Sequence, residues 1–284
     1  MTSKTDVRFD HIGYWSEIKL DIIKEYATSY STILGAQKSP ALDHIYIDAF
    51  AGAGIHKSRR TGKLVLGSPT NALQVTPPFR EYHFIDLDGG KVDSLETLAA
   101  ERDNVHVYEG DCNQVLLEQV FPRARREDYR RALCLLDPYG LHLDWKVIAE
   151  AGHMRSIEIF LNFPVLDINR NVLWRDRTGV SPEQIERMNR FWGDDSWKEI
   201  AYKPSPQMSL LGVPDEEKAS NEVIAEAFRK RLQDVAGFSH VPGPIAMRNS
   251  QNAVVYYLYF ASHKSVPERI VNHIFEKHGN RGGK

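Results

Sequence analysis

Cysteine is nearly absent from this chain. Its 284 residues hold two, Cys112 and Cys134, too few for a disulfide framework or a structural zinc site. That usage suits a reducing, cytoplasmic setting. Hydrophobic runs are short, and none reaches the roughly 18 consecutive apolar residues of a membrane span. Residues 1–9 are polar and lack the apolar core of a secretory signal. Neither sign of charge is in excess, with 36 Lys and Arg against 38 Asp and Glu. A net charge of −2 gives no global attraction to nucleic acid, so such a partner would be held by local basic loops. Repeats and low-complexity tracts are missing too. What remains is 42% hydrophobic and 26% charged, which excludes disordered, fibrous and multi-span membrane classes. A cytoplasmic protein without membrane attachment is expected.

Several short apolar runs stand out, at 44–50, 81–86, 104–108, 132–137 and 157–162. Polar or helix-like segments such as 91–100 and 113–120 separate them. Near-continuous apolar strands alternating with helices indicate a parallel sheet covered on both faces. Asp86, Asp111, Asp137 and Asn162 recur about every 25 residues, one βα unit apart. Ahead of the series, Ile18, Ile22, Tyr26, Tyr30 and Ile33 mark a helix over 16–34, with Ser16 as its N-cap. After it, 181–190 and 220–234 read as Ser-capped amphipathic helices, with a loop at Pro204, Pro206 and Pro214. Two strands, 244–249 and 253–262, flank Asn249-Ser-Gln-Asn252 as a hairpin, and a last helix covers 267–278. The reading is α/β: a single class I (Rossmann-like) methyltransferase domain over 1–284. Its sheet is mostly parallel with a C-terminal antiparallel hairpin, and 166–240 form a helical insertion or lid.

In open α/β sheets, ligands bind beyond the carboxyl ends of the strands. Here those ends carry Asp48, Asp86, Asp111, Asp137 and Asn162. A single residue of this kind could simply cap the next helix; five in series point to a shared site. The first strand runs into Asp48-Ala-Phe-Ala-Gly-Ala-Gly54. Lys57 stands where a dinucleotide fingerprint needs its third glycine, and Gly62-Lys63 lacks the Ser or Thr of a P-loop. A Gly-x-Gly turn behind an acid suits a nucleoside cofactor without pyrophosphate, which is S-adenosylmethionine. The candidate cofactor set is Asp48, Phe50, Gly52, Gly54, Asp86, Asp111 and Cys112. Asp86 would accept from ribose hydroxyls and Asp88 would cap the helix near Gly90. Asp111 would accept from an adenine amine or cap 113–120. Cys112 reads as a small buried residue rather than a nucleophile. Gly67-Ser-Pro69 follows a long basic loop, and Ser68 and Pro69 read as the start of a helix.

Asp137-Pro-Tyr-Gly140 closes the fourth strand. An exocyclic amine is a poor nucleophile because its lone pair is delocalised into the ring. A carboxylate and a proline-fixed carbonyl that accept its two hydrogens localise that pair, and an aromatic ring stacks on the base. Asp137, Pro138 and Tyr139 are therefore the candidate catalytic residues; the plainer reading is an Asp-Pro turn ending a strand. Asn162-Phe-Pro164 would line the same cleft or merely end its strand. Trp15, Trp145, Trp174 and His11 read as packing residues. His142 and His153 lack metal-like spacing, and no metal is expected. Of the basic clusters 57–60, 123–131 and 170–177, the first and third flank the expected cleft and are candidates for phosphate contacts.

The chain resembles the three-Cys-motif partner protein family (TcmP), a bacterial group with a methyltransferase-like fold. The likeness runs through Tyr46-Ile-Asp-Ala-Phe-Ala-Gly52, Gly67-Ser-Pro69, Phe84-Ile-Asp-Leu-Asp88, Gly110-Asp111 and Leu136-Asp-Pro-Tyr-Gly-Leu141. It continues in Leu161-Asn-Phe-Pro164, Asn169-Arg170, Phe191-Trp-Gly193, Trp197 and the strand 256–263. Ala53 stands where members often have proline. The resemblance implies a partner carrying a three-cysteine motif, of iron–sulfur or radical type. Asp137-Pro-Tyr-Gly140 is also similar to the motif of tRNA guanine-N2 dimethyltransferases. Two functions follow as expectations: an S-adenosylmethionine-dependent methyltransferase acting on an exocyclic amine, on a nucleobase of RNA or DNA; or a non-catalytic adaptor that offers the aromatic segment 174–197 to the three-cysteine partner.

Overall fold

The structure is a computed structural model and describes residues 10–174, 177–208 and 214–279. Its strands are β1 (Asp10–Ile12), β2 (Asp43–Asp48), β3 (Ile55–Ser58), β4 (Leu64–Leu66), β5 (Glu81–Asp86), β6 (Val105–Glu109), β7 (Arg130–Leu136), β8 (Ile157–Phe163), β9 (Tyr202–Met208), β10 (Pro214–Lys218), β11 (Ile245–Arg248) and β12 (Val254–Ala261). The helices are α1 (Tyr14–Ala36), α2 (Ser68–Leu73), α3 (Gly89–Ala99), α4 (Cys112–Val115), α5 (Trp145–Met154), α6 (Val165–Asn171), α7 (Pro182–Trp192), α8 (Trp197–Ala201), α9 (Asn221–Asp234) and α10 (Ser265–Gly279). None of these helices is long and apolar enough to cross a membrane.

Seven strands form the main sheet in the order β11-β12-β8-β7-β2-β5-β6. Neighbours from β6 through β8 pair in parallel, while β12 runs antiparallel to both β8 and β11. Numbered within this sheet, the order is 3-2-1-4-5-7-6 with the seventh strand reversed. That is the class I methyltransferase fold, closed by the expected hairpin. Its tip is held by Asn249, whose Oδ1 accepts from the Gln251 and Ala253 amides. Asn252 takes the left-handed conformation there (φ 61°), which asparagine tolerates.

The strands are apolar on both sides because both faces are covered. Alternate residues point opposite ways. Ile45, Ile47, Cys134, Leu136, Ile159 and Leu161 enter one core with α5 to α9. Tyr46, Phe84, Leu133, Leu135, Phe160 and Phe260 enter the other, with α1, α2 and α10. In α1, Ile18, Ile22, Tyr26 and Tyr30 are buried as their spacing requires and Ile23 joins them, whereas Ile33, expected in the same stripe, is 45% exposed. Ser16 is not its cap. The helix starts at Tyr14 because the extended Gly13 already offers its carbonyl to the amides of Ser16 and Glu17. Ser68 likewise lies inside α2, whose N-cap is Gly67.

Two smaller sheets depart from the sequence reading. The basic loop after β2 is a ribbon in which β3 pairs antiparallel with β4 and parallel with β1. Segment 166–240 holds helices and also the antiparallel pair β9–β10 where a proline loop was expected. A two-strand ribbon leaves each strand one unpaired edge, where a missing N–H is tolerated. Residue 211 and the rest of 209–213 lie outside the described residues. Trp192, Trp197, Phe191 and Phe228 of this segment pack into the core of the main sheet. Trp174 keeps 42% of its surface exposed.

Candidate active site

The turn after β2 is built by its neighbours. The Ala49 amide donates to the Leu135 carbonyl at 3.0 Å, and the Ala51 amide to Ile85 at 2.9 Å. The Gly52 amide donates to Asp86 Oδ2 at 2.8 Å. Gly52 (φ 65°) and Gly54 (φ 78°) occupy the left-handed region that a side chain disfavours. At Gly54 a Cβ would also stand 2.6 Å from Leu98 Cδ1. The Gly54 carbonyl accepts from the Gly67 amide and from Thr70 Oγ1, so α2 clamps the turn from the far side.

Asp86 ties two turns together, since its Oδ1 accepts from the Asp88 amide at 3.0 Å. Asp88 is the N-cap of α3, as expected, accepting from Gly90 and Lys91. Asp111 caps α4: its Oδ1 accepts from the Asn113 amide and side chain. Cys112 is buried, and burial pushes its thiol up to about 12, which removes it as a nucleophile. Asp48 is fully buried beneath the turn. Oδ1 accepts from the Phe50 amide at 3.3 Å, and Oδ2 has no partner. Burial pushes its carboxyl up to about 7; the Asp137 charge adds to this, while Ser68, the Phe50 amide and Lys19 oppose it.

A cleft of about 470 Å3 opens beside this turn. Phe50, Gly52, Asp137, Pro138 and Tyr139 line it, and Asn162 joins them. Asp48, Gly54, Asp86, Asp111 and Cys112 are not in its wall: they support the turns or cap helices behind it. Asn162 Nδ2 donates to Asp137 Oδ1 at 2.7 Å, while its own Oδ1 is unpartnered. Tyr139 is 61% exposed and stands at the rim.

The other wall comes from the amino-terminal segment. Lys19 of α1 is buried and its Nζ pairs with Asp137 Oδ2, lying 5.5 Å from the centre of the Tyr256 ring. Trp15, read as packing, and His11 are cleft residues as well. Across the mouth, Lys91 pairs with Asp10 at 2.9 Å and lies 5.2 Å from the centre of the Tyr139 ring. His56 and Arg59 bring the β3–β4 ribbon to the same rim. Sequence reasoning missed Lys19, His56 and Lys91. Lys19 left a signal, because a lysine beside Ile18 and ahead of Ile22 and Ile23 sits within an apolar stripe.

No protein-family model matches the chain, and no curated protein does. Among solved structures, a DUF519-family protein of Legionella pneumophila str. Philadelphia 1 superposes with a TM-score of 0.52 at 12% identity, over 93% of this chain and 94% of that one. A DUF574-family protein of Streptomyces avermitilis gives 0.43 at 11% identity, over 87% and 83%. A dimethyladenosine transferase of Plasmodium falciparum gives 0.39 at 12% identity, over 88% and 62%. The fold rests on the sheet order and on the likeness to the Legionella protein.

Proposed function

We propose that this chain transfers the methyl group of S-adenosylmethionine to an exocyclic amine of a nucleobase in RNA or DNA. The observation that carries this reading is the convergence of Asp137, Pro138, Tyr139 and Asn162 on one cleft, whose wall also includes Gly52 of the glycine turn. The residues fit the cofactor. A Cβ added to Gly52 would meet only His56 Cε1, at 3.6 Å, so there is space beside the turn. Asp86 spends one lone pair of each oxygen on the turns it joins and keeps the others for ribose hydroxyls. Phe50 lines the cleft, Gly54 and Asp48 hold the turn from behind, and Asp111, outside the cleft wall, caps α4. When bound, the cofactor supplies an electrophilic methyl on sulfur.

The chain's own residues would orient the acceptor. The Asp137 carboxylate and the Pro138 carbonyl accept the two amine hydrogens, and Asn162 Oδ1 is a third acceptor on the same wall. Asn162 and Lys19 fix the carboxylate from either side. The exposed Tyr139 ring offers a face for a base, a contact that tolerates any sequence. Arg59, Arg60 and Lys63 are exposed on the β3–β4 ribbon and suit backbone phosphates. Calorimetry of S-adenosylmethionine binding to the native chain and to Asp86→Ala tests the cofactor site. Methyl transfer to RNA and DNA pools by the native chain and Asp137→Ala tests the chemistry. Equal turnover by both would overturn the role given to Asp137.

A further inference from the structure

A second polar cluster is built into the sheet near the opposite end of β5 from Asp86. β5 and β6 pair in parallel with His83 opposite His106. Glu81 precedes His83 by two positions and so shares its face. The arrangement brings a carboxylate oxygen and one nitrogen from each imidazole within 4.8 Å of one another. The two rings stack with centroids 5.0 Å apart. Methyl transfer at the cleft uses none of these groups.

We infer that Glu81, His83 and His106 form a binding site for one divalent ion of the zinc class. His83 is fully buried. Its Nδ1 meets Tyr108 Oη at 3.0 Å. Its Nε2 stands 3.3 Å from Glu81 Oε2, at ion-pair distance. In the tautomer whose Nδ1 proton goes to Tyr108, the Nε2 lone pair is turned toward Glu81 Oε2. A cation between them would be held by both atoms. A ring nitrogen fixed by an outer partner while the other faces the ion is the usual setting of a ligating histidine. Two imidazoles and a carboxylate form a donor set that suits zinc.

Glu81 is not bare. Arg123 donates to Oε2 from Nε at 3.2 Å and Nη2 at 3.0 Å, and Arg130 Nη2 lies 3.2 Å from Oε1. Arg123 is 43% exposed and lines an open cleft of about 670 Å3 together with Glu81 and His106. Its guanidinium therefore supplies the counter-charge that an ion would displace, and the cleft gives it room to withdraw. β6 is the outermost strand of the sheet, so a metal shared with β5 would staple that edge.

The full chain, stripped with a chelator, is titrated with ZnCl2 by calorimetry and its melting is followed alongside. One ion per chain and a raised Tm are expected. His106→Ala and Glu81→Gln should each weaken binding at least about tenfold. Arg123→Gln should bind as tightly as the native chain or more tightly. His106 is half-buried, and a metal-free Tm for its variant near the native value shows that the variant folds. Absence of zinc binding by the native chain, or binding unchanged in both ligand variants, would overturn the site. Weaker binding by Arg123→Gln would overturn the displacement of that guanidinium.

Discussion

Lys19 and Asp137 are 118 positions apart in the sequence and meet as an ion pair in the wall of the cleft. The pair links the first long helix to the end of the fourth strand of the sheet. It gives the Asp-Pro-Tyr turn a fixed carboxylate that a strand end alone would not have. Removing one partner leaves the other charged and largely out of water, which is more damaging than never having had the pair.

Lys19→Met is expected to cost about 1–3 kcal/mol of stability and to lower methyl transfer. Lys19→Arg should keep more of both. Urea unfolding of Lys19→Met, Asp137→Asn and the double variant checks this. The double variant should lose less than the two single losses added together, because the residues share one interaction. Strict additivity would mean that the contact carries no energy.

Asp137→Ala is expected to lower turnover by about 100-fold or more while the Kd for S-adenosylmethionine stays within about threefold. Single-turnover transfer and calorimetry, run on one preparation, separate the two effects. A large loss of cofactor affinity would move Asp137 from the acceptor side of the cleft to the cofactor side.

Asp48 gives the fold a pH dependence. Its carboxyl is pushed up to about 7 in the folded chain, above the value near 3.9 of an unfolded chain. Between those values the folded state holds a proton that the unfolded state has released. Stability therefore falls as pH rises through this window and levels off once Asp48 ionises in both states. Glu158, half-buried and accepting from Tyr26 Oη, is pushed up to about 7 by desolvation and acts in the same direction. Asp48→Asn should flatten the decline in urea-derived stability between about pH 4 and 7 by an amount on the order of 4 kcal/mol. An equally steep decline in Asp48→Asn and in Glu158→Gln would exclude both groups as its source.

Gly152 of α5 leaves no room for a side chain. A Cβ there would stand 1.9 Å from the Ala236 carbonyl oxygen, and backbone cannot turn aside as a side chain can. Gly152→Ala is expected to destabilise by about 3 kcal/mol or more. Gly237→Ala is the control: it has nothing within 4 Å, and its loss comes from its positive φ alone. Thermal melts of the two variants should rank them in that order.

The central strands were legible because both faces are buried and each became an unbroken apolar run. The acids at their ends were legible because a βα unit repeats at nearly constant length. The β3–β4 ribbon was not. Its strands span three or four residues, and Lys57, His56 and Ser58 show no alternation that marks a buried face. The cap at Gly13 was hidden because glycine carries no side chain to signal one, whereas Ser16 signals a cap it does not make. Of the site, the strand-end half could be read from the chain. The half supplied by α1 and β1 depends on contacts such as Lys19 with Asp137 and Asp10 with Lys91, which only tertiary folding creates.

The pairing of β1 with the β3–β4 ribbon has a practical side. Asp10, the first described residue, is latched to Lys91 beside Tyr139 at the cleft's entrance. An affinity tag or fusion partner placed there would crowd incoming substrate and compete for the latch. The helix α10 ends against α1, with Lys277 and His278 bound to Glu25, which lies outside the cleft wall. A carboxy-terminal handle is therefore the one to use for assays and for immobilisation.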